Sequence, residues 1–322
     1  MHNKSAFTIL VEEPDSGKRL DLFIASHVSD CSRSAAAILI RNGKISVRGS
    51  EKKPGYRIRK GDEIRGLIPP QEPVLFKPEP IEIDILYDDD YLIVVNKPPG
   101  LVVHPAPGHY TGTLVNGLLY HFPELEGIGD ELRFGIVHRL DKDTSGVLVV
   151  AKNAAAHHNL ARQFKSRKIN KKYLALLHGE IKSDSGVVSL PIGRHPVDRK
   201  KMSTHSRKSR SAETLWRVME RFEGITLVEL DLKTGRTHQI RVHFAAVNHP
   251  IIGDSVYGRR KVGKKVVFGN NISLAIPRHM LHAWHLGFTH PNTETAVSFE
   301  APMPNDMEEL IKTLRQVEHS SA

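Results

Sequence analysis

The sequence predicts an α+β fold in two unequal domains, and three observations carry that prediction. Short helix and strand patterns alternate before residue 68. A segment with five prolines between Leu67 and Pro80 follows, and such a composition resists helix and central strand alike, so it reads as a stiff linker. Beyond it, β-branched runs and two hairpin patterns are interleaved with amphipathic helices. The expected organisation is an extension over 1–17, a small domain over 18–68, the linker over 69–80 and a large domain over 81–322. A chain of 322 residues with 39% apolar content can bury a core in each.

In the small domain, Leu20, Phe23, Ile24 and Val28 recur at helical spacing, and Ser34 to Arg41 fits a second short helix stopped by Asn42-Gly43 as a left-handed cap. Lys44 to Arg48 alternates as a strand, Lys53-Pro54-Gly55 turns the chain, and Tyr56 to Ile68 holds the Lys60-Gly61-Asp62 turn ahead of another strand. In the large domain, Tyr91 to Val95 reads as a buried strand and Asn96 to Gly100 as a turn. Thr113 to Phe122 reads as a helix with Leu114, Leu118 and Phe122 on one face. Ile136-Val137 and Val147 to Val150 read as buried strands on either side of a polar loop. Asn153 caps a helix that buries Ala156, Leu160 and Phe164. Lys171 to Leu177 is a strand whose tyrosine, Tyr173, follows two lysines. Leu215 to Arg221 and Ile225 to Leu232 form a hairpin, after which Thr234-Gly235-Arg236 turns the chain into a helix expected to bury Ile240, Phe244 and Val247. Leu281 to Phe288 pairs with Ala296 to Glu300 in a second hairpin, and a short helix opens on the capping box Asn305-x-x-Glu308.

The formal net charge of +10 points to a polyanionic partner, because Lys and Arg that neutralise phosphates release counterions. The charge is clustered. Lys18 to Gly66 carries twelve basic residues against five acids, Arg162 to Lys172 carries six against none, and Arg194 to Arg210 carries seven against Asp198 alone. RNA or DNA is therefore the expected partner. The stretch from Arg199 to Ser211 reads as low-complexity and unstructured until nucleic acid binds. No apolar run approaches the ~18 residues of a membrane helix, so no membrane association and a cytoplasmic location are expected. The single cysteine, Cys31, excludes an internal disulfide and any cysteine-based metal cluster, and reads as a small buried residue. Nineteen histidines raise the question of a metal, with His238 and His243, or His279, His282 and His285, as the candidate groups. No HExxH-type string accompanies them, so no metal is expected, and His138, His238 and His243 read as hydrogen-bonding scaffold or RNA contacts.

The polar loop Val137-His-Arg-Leu-Asp-Lys-Asp-Thr-Ser-Gly146 is the centre of the large domain. On the residues alone, Asp141 is either a displayed reactive carboxylate or one of several side chains that satisfy backbone donors in a turn. The string HRLDKDTSG, followed in order by KKYLAL at Lys171, TGRTHQIRVH at Thr234 and RHMLHAWHLGFTHP at Arg278, closely resembles the RluA family of pseudouridine synthases. NKPPGLVVHP, GTLVNGLL, PIGRHP and HPIIGDSVYG extend the resemblance over Tyr87 to Pro302, and they resemble its RluD branch in particular. The small domain, with RLDLFI, SRS, RNGKISV and KGDEI, resembles an S4 RNA-binding domain.

The resemblance implies a catalytic domain with a mainly antiparallel mixed sheet flanked by helices. It also implies isomerisation of uridine to pseudouridine in large-subunit (23S) ribosomal RNA, by a monomer acting without cofactor. Alternatives are a synthase acting on tRNA and a non-catalytic RNA-binding or ribosome assembly factor. Its site residues carry over as follows. Asp141 is the catalytic carboxylate, Arg236 the guanidinium paired with it, and Tyr173 the ring that stacks on the target base. Arg139 fills the gap left by an everted nucleotide, Ile240 and Leu281 form an apolar wall, and Arg241 meets a phosphate. Arg33, Arg41, Lys44 and Arg48 are the expected RNA contacts of the small domain.

Overall fold

The computed structural model describes residues 5–28, 31–68, 76–105, 111–129, 134–198, 200–258, 265–268 and 272–321. The chain divides into two units, residues 1–75 and 76–322. Most of the proline-rich segment, 69–75, lies outside the described residues.

In the first unit β1 (Ser5–Leu10) is followed by α1 (Leu20–His27), α2 (Arg33–Arg41), β2 (Ile45–Val47) and β3 (Glu63–Ile68). The sheet has the order β1-β3-β2 with both pairs antiparallel. The segment expected to be an extension thus supplies an edge strand, with Ser5 opposite Ile68 and Leu10 opposite Glu63. Ser32 caps α2 by accepting from the Ala35 amide at 3.2 Å, which satisfies one of the donors that the first turn of a helix leaves open. Leu20, Phe23, Ile24, Ile40, Ile45, Ile58 and Ile64 close the core, with Cys31 buried beside them. Each such side chain removed from water contributes about 1.5–3 kcal/mol.

The second unit is built on one sheet. Its strands and helices run β4 (Asp84–Asp88), β5 (Leu92–Lys97), α3 (Leu114–His121), β6 (Ser145–Ala151), α4 (Ala154–Lys165), β7 (Asn170–His178) and β8 (Ser185–Val188). The short strands β9 (Ile192–Arg194), β10 (Met202–Ser203) and β11 (Ser209–Arg210) lead into the hairpin of β12 (Thr214–Phe222) and β13 (Ile225–Leu232). Then come α5 (Gln239–Ala246), β14 (Lys265–Phe268), β15 (Ile272–Ala275), β16 (Leu281–Thr289), β17 (Ala296–Glu300) and α6 (Asn305–Ser321). The main sheet has the order β4-β5-β6-β16-β7-β13-β12-β8, with β17 beside β16. The β6–β16 pair is parallel and the other pairs of this sheet are antiparallel.

Insertion of β16 between β6 and β7 positions the site. It sets His282 opposite Ser145 and Leu281 opposite Ala175, so the start of β6, the start of β16 and the middle of β7 meet on adjacent strands. The close approach requires Gly146, whose φ is +115° and where an added Cβ would stand 2.0 Å from the Ala283 carbonyl oxygen.

Four expectations change. Ile136-Val137 forms no strand, because β5 and β16 already occupy both edges of β6 at its start. Only its far end remains open, where Ile136 bridges Val150. Val247 is 37% exposed, since α5 ends at Ala246 and Val247 lies beyond it as the cap. The terminal helix is long, 17 residues, and buries Met307, Leu310, Ile311 and Leu314. The stretch 199–211, apart from residue 199 outside the described set, carries β10 and β11. Both pair with β9 in a small separate sheet.

Gly146→Ala is expected to destabilise the protein by about 3 kcal/mol or more, since a left-handed backbone cost is added to a backbone collision. Gly224→Ala, at φ +72° with nothing within 4 Å of the new Cβ, is expected to cost only about 1 kcal/mol. Urea unfolding of the two variants measures the difference, and equal losses would mean that β16 does not fix the start of β6.

Candidate active site

The loop before β6 is held at almost every residue. Lys97, fully buried at the end of β5, directs its amino group at three carbonyl oxygens: Pro98 at 2.8 Å, Leu101 at 2.9 Å and Lys142 at 3.0 Å. Lys142 O also accepts from the Gly100 amide at 2.9 Å. Arg278 donates to Asp143 O at 3.0 Å while its other guanidinium edge grips Asp306 at 2.7 and 2.8 Å. Thr144 Oγ1 meets His279 Nε2 at 2.8 Å, and Ser145 Oγ meets His282 Nδ1 at 3.0 Å. The loop is therefore rigid, and it presents Asp141 with its side chain 19% exposed.

Asp141 Oδ2 accepts from Arg241 Nη1 at 3.0 Å. The remaining edge of the same guanidinium bonds Asp254 through Nε at 2.7 Å and Nη2 at 2.9 Å, in the bidentate geometry that suits a planar donor fork. The Asp254 side chain has no exposure and also accepts from the amides of Val256 and Tyr257. Burial alone would push the Asp254 carboxyl up, but the Arg241 hydrogen bonds and charge hold it below its ordinary value. Burial likewise works against the Arg241 charge, yet its bonds to Asp254 and the two carboxylate charges raise it above the ordinary guanidinium range.

His238 stands 3.7 Å from Asp141 Oδ2 through Nε2, in a left-handed backbone conformation with φ +55°. Its Nδ1 lies 2.7 Å from Tyr257 Oη, which itself accepts from the Met202 amide at 2.8 Å. Tyr257 thus anchors the ring through Nδ1 and leaves Nε2 facing Asp141. Burial lowers the His238 pKa, so the ring is neutral at pH 7. The Arg241 guanidinium lies 5.2 Å above the Tyr257 ring, which gives that cation a third favourable neighbour.

One pocket of ≈ 370 Å³ is lined by Arg139, Asp141, Tyr173, Arg236, Ile240, Arg241 and Leu281, together with Leu140, Thr144, Leu232, His238 and Gln239. All seven large-domain residues singled out in the sequence thus share one cavity. The ion pair expected from Arg236, however, is made by Arg241. Arg236 donates through Nε to Ser211 O at 3.1 Å and has no carboxylate partner among the described residues. The reason is local. Arg236 precedes the helix on an exposed turn pinned by Gln239, whereas Arg241 is the third residue of α5, whose first six residues are all buried.

Burial, reinforced by the Asp141 charge, raises the Tyr173 hydroxyl well above its ordinary value, so Tyr173 is a neutral phenol at pH 7. Ile240 and Leu281 are buried apolar walls. In the first unit Arg33, Arg41, Lys44 and Arg48 are all exposed. Arg33 bonds Asp21 at 3.1 Å, and Arg48 pairs with Asp62 at 2.9 Å.

Among the described residues no group of three or more His, Cys, Asp and Glu could hold a metal. The candidate histidines have other partners. His243 bonds Thr214 Oγ1 and Leu190 O, His138 accepts from the Val149 amide, and His282 and His285 lie on strand β16. The anchors Lys97, Asp254, Tyr257 and Arg278 were not identified as site residues from the sequence. Their signal was membership in the strings NKPPG, GDSVYG and RHMLHAW, where a buried charge had no partner visible in the same string.

Two measurements test this construction. Asp254→Asn leaves Arg241 without its buried counter-charge and is expected to lose about 3–5 kcal/mol in a denaturant titration. A loss under 1 kcal/mol would mean that Asp141 alone suffices. Burial, opposed by the charge of Asp143, pulls Lys97 from the 10.5 of a free lysine down to about 7. Between about pH 7 and 10 the unfolded chain binds the proton that the folded state has released, so Lys97 makes stability rise with pH across that window. Stability measured against pH should show this component in the wild type and lose it in Lys97→Met.

The chain is similar to known proteins along most of its length. Residues 18–64 match the S4 domain, and residues 91–246 match the RNA pseudouridylate synthase family. An uncharacterized RNA pseudouridine synthase of Bacillus subtilis (strain 168) is 46% identical over 96% of this chain and 98% of its own. The ribosomal large subunit pseudouridine synthase D of Neisseria meningitidis serogroup A is 43% identical over 97% of this chain and 82% of its own. Among solved structures, human RNA pseudouridylate synthase domain containing 4 superposes with a TM-score of 0.57 at 30% identity, covering 72% of this chain and 93% of that one. With relatives of this identity along nearly its whole length, the chain belongs to the RNA pseudouridine synthases.

Proposed function

We propose that the enzyme isomerises uridines of large-subunit ribosomal RNA, taking the target nucleotide out of its stack and into the Asp141 pocket. The observation that carries the reading is the Asp141–Arg241 contact at 3.0 Å inside a pocket that also holds Tyr173 and Arg139. The ribosomal substrate rests on similarity to enzymes whose names state it.

The chemistry breaks the bond from ribose C1′ to uracil N1 and joins C1′ to C5. The C5 proton leaves to solvent and N1 gains one. Atoms and electrons balance within the nucleotide, so no redox partner or group donor is needed. Asp141 acts either as a nucleophile or as the counter-charge of an oxocarbenium-like centre, the role carboxylates play in glycoside chemistry. Arg241 orients it through the 3.0 Å charge-assisted hydrogen bond. Tyr173, a neutral phenol, presents its ring to the base and its hydroxyl as a hydrogen-bond partner. Arg139, exposed at the mouth, fills the place of the everted base, and eversion costs a few kcal/mol that pocket and phosphate contacts offset. Ile240 and Leu281 exclude water beside the ring. Arg236 takes a phosphate, the role the sequence suggested for Arg241. Arg33, Arg41, Lys44 and Arg48 give the S4 domain its RNA-facing charge.

Release of tritium from ribosomal RNA labelled at uridine C5 reads this reaction directly. Asp141→Asn is expected to abolish release while RNA stays bound. Arg241→Lys is expected to reduce kcat by about 10²-fold, the scale of removing one oriented electrostatic partner. Arg236→Ala should act mainly on KM. A larger kcat loss at Arg236 than at Arg241 would return the ion-pair role to Arg236.

A further inference from the structure

Beside the Asp141 pocket lies a second, larger concavity of ≈ 1290 Å³, and the two share Arg139, Tyr173, Leu232 and Arg236. Its rim carries five cations, Arg139, Lys165, Arg167, Lys171 and Arg236, and no acid lines it. None of the five has a carboxylate within ion-pair distance among the described residues, although this protein pairs many other cations, including Lys152, Arg221, Arg278 and Arg315. Arg167 stands close enough to act on two of the others. Burial and then the charges of Arg167 and Arg210 lower Arg236, while burial and the charge of Arg167 lower Lys171 despite the nearby Asp231. The floor is different in kind. Val137, Ala161, Phe164 and Leu232 line it, and the Phe164 ring is stacked at 4.6 Å on His138, whose buried imidazole stays neutral.

An apolar, ring-bearing floor under an unpaired cationic rim matches an unpaired nucleotide, with a base below and phosphates above. It does not match a duplex, whose bases are already stacked. Connectivity selects the occupant, because a nucleotide next to one held at Asp141 is tied to it by a single phosphodiester and must lie in the adjoining space. We propose that this groove binds the unpaired nucleotide adjacent to the target uridine, its base on the Val137–Phe164 floor and its phosphates on Arg167 and Lys171. The inference rests on the isomerase reading above and adds a substrate requirement: the target uridine has at least one unpaired neighbour.

The test uses the full chain carrying Asp141→Asn, so that RNA binds without turnover, and a stem-loop RNA with the target uridine in the loop. Adding Arg167→Ala and Lys171→Ala is expected to reduce the slope of log affinity against log salt by about 1.4, the contribution of two single-strand phosphate contacts. Arg167→Gly alone, which the left-handed backbone at φ +59° accommodates without strain, should reduce it by about 0.7 and covers any misfolding of the double variant. Replacing the neighbouring base by an abasic residue should weaken binding about ten-fold in the Asp141→Asn chain. Tritium release by the wild-type chain is followed in parallel. Release with unchanged slopes and no abasic effect overturns the groove while leaving the isomerase reading standing.

Discussion

The structure of the site depends on one guanidinium shared by two carboxylates. Arg241 is almost entirely out of water, and a lone ion pair there would barely recover the cost of desolvating both partners. Asp254 changes that balance. It takes two of the guanidinium hydrogen bonds, is itself completed by two backbone amides, and so forms a neutral buried unit with Arg241. The third hydrogen bond is then free to hold Asp141, and the pocket sees a net single negative charge on that carboxylate. The fold thus orients the Asp141 carboxylate toward the pocket through a guanidinium that Asp254 already holds in place.

The rest of the second unit serves to bring these groups together from distant parts of the chain. Asp141 and Arg241 are one hundred residues apart, and Asp143 and Arg278 are 135 apart. What aligns them is the one parallel pair of the main sheet. By inserting β16 next to β6, the chain makes the turn before β6, the segment before β16 and the tyrosine of β7 neighbours, and Gly146 is the residue that lets the two backbones close. Gly253 does the same on the other side of the site, where a Cβ would stand 1.9 Å from the Arg278 carbonyl. Lys97 then supplies what a loop of this kind lacks, a buried amino group within hydrogen-bond distance of three carbonyl oxygens that no strand satisfies.

Much of this was legible in the sequence, and the failures share a cause. Helices with one apolar face, such as α4 behind its Asn153 cap, and strands with full burial, such as β5, announce themselves by periodicity. The edge strand β4 does not, because its acids and exposed positions resemble a loop, and β1 hides in a short segment whose partner lies more than fifty residues away. At the site, the motifs identified which residues gather but not which pairs touch. Arg236 and Arg241 stand in the same string, five residues apart, and nothing in it says that the helix begins only at Gln239. Buried all round at its start, α5 shows no amphipathic stripe from which the inward arginine could be read. The partner that settles the matter, Asp254, lies in a different motif and becomes visible only in three dimensions.

The electrostatic layout follows from a conflict in the chemistry. The proposed substrate is a polyanion, and the group proposed to meet it is a carboxylate. Attraction from the overall charge of +10 cannot resolve this at close range, since exposed charges are screened beyond about 8–10 Å in physiological salt. Cations must therefore stand immediately around the carboxylate without bonding it. Arg139 and Arg236 occupy that position, on the shared wall between the pocket and the basic groove, each without a carboxylate partner among the described residues. An Arg236 paired with Asp141 would leave the wall with one cation fewer and the phosphate next to the target without a partner. Under the proposed reading the labour is divided, with buried Arg241 on the carboxylate and half-buried Arg236 and exposed Arg139 left for the RNA backbone, and a negative group can then face a negative substrate.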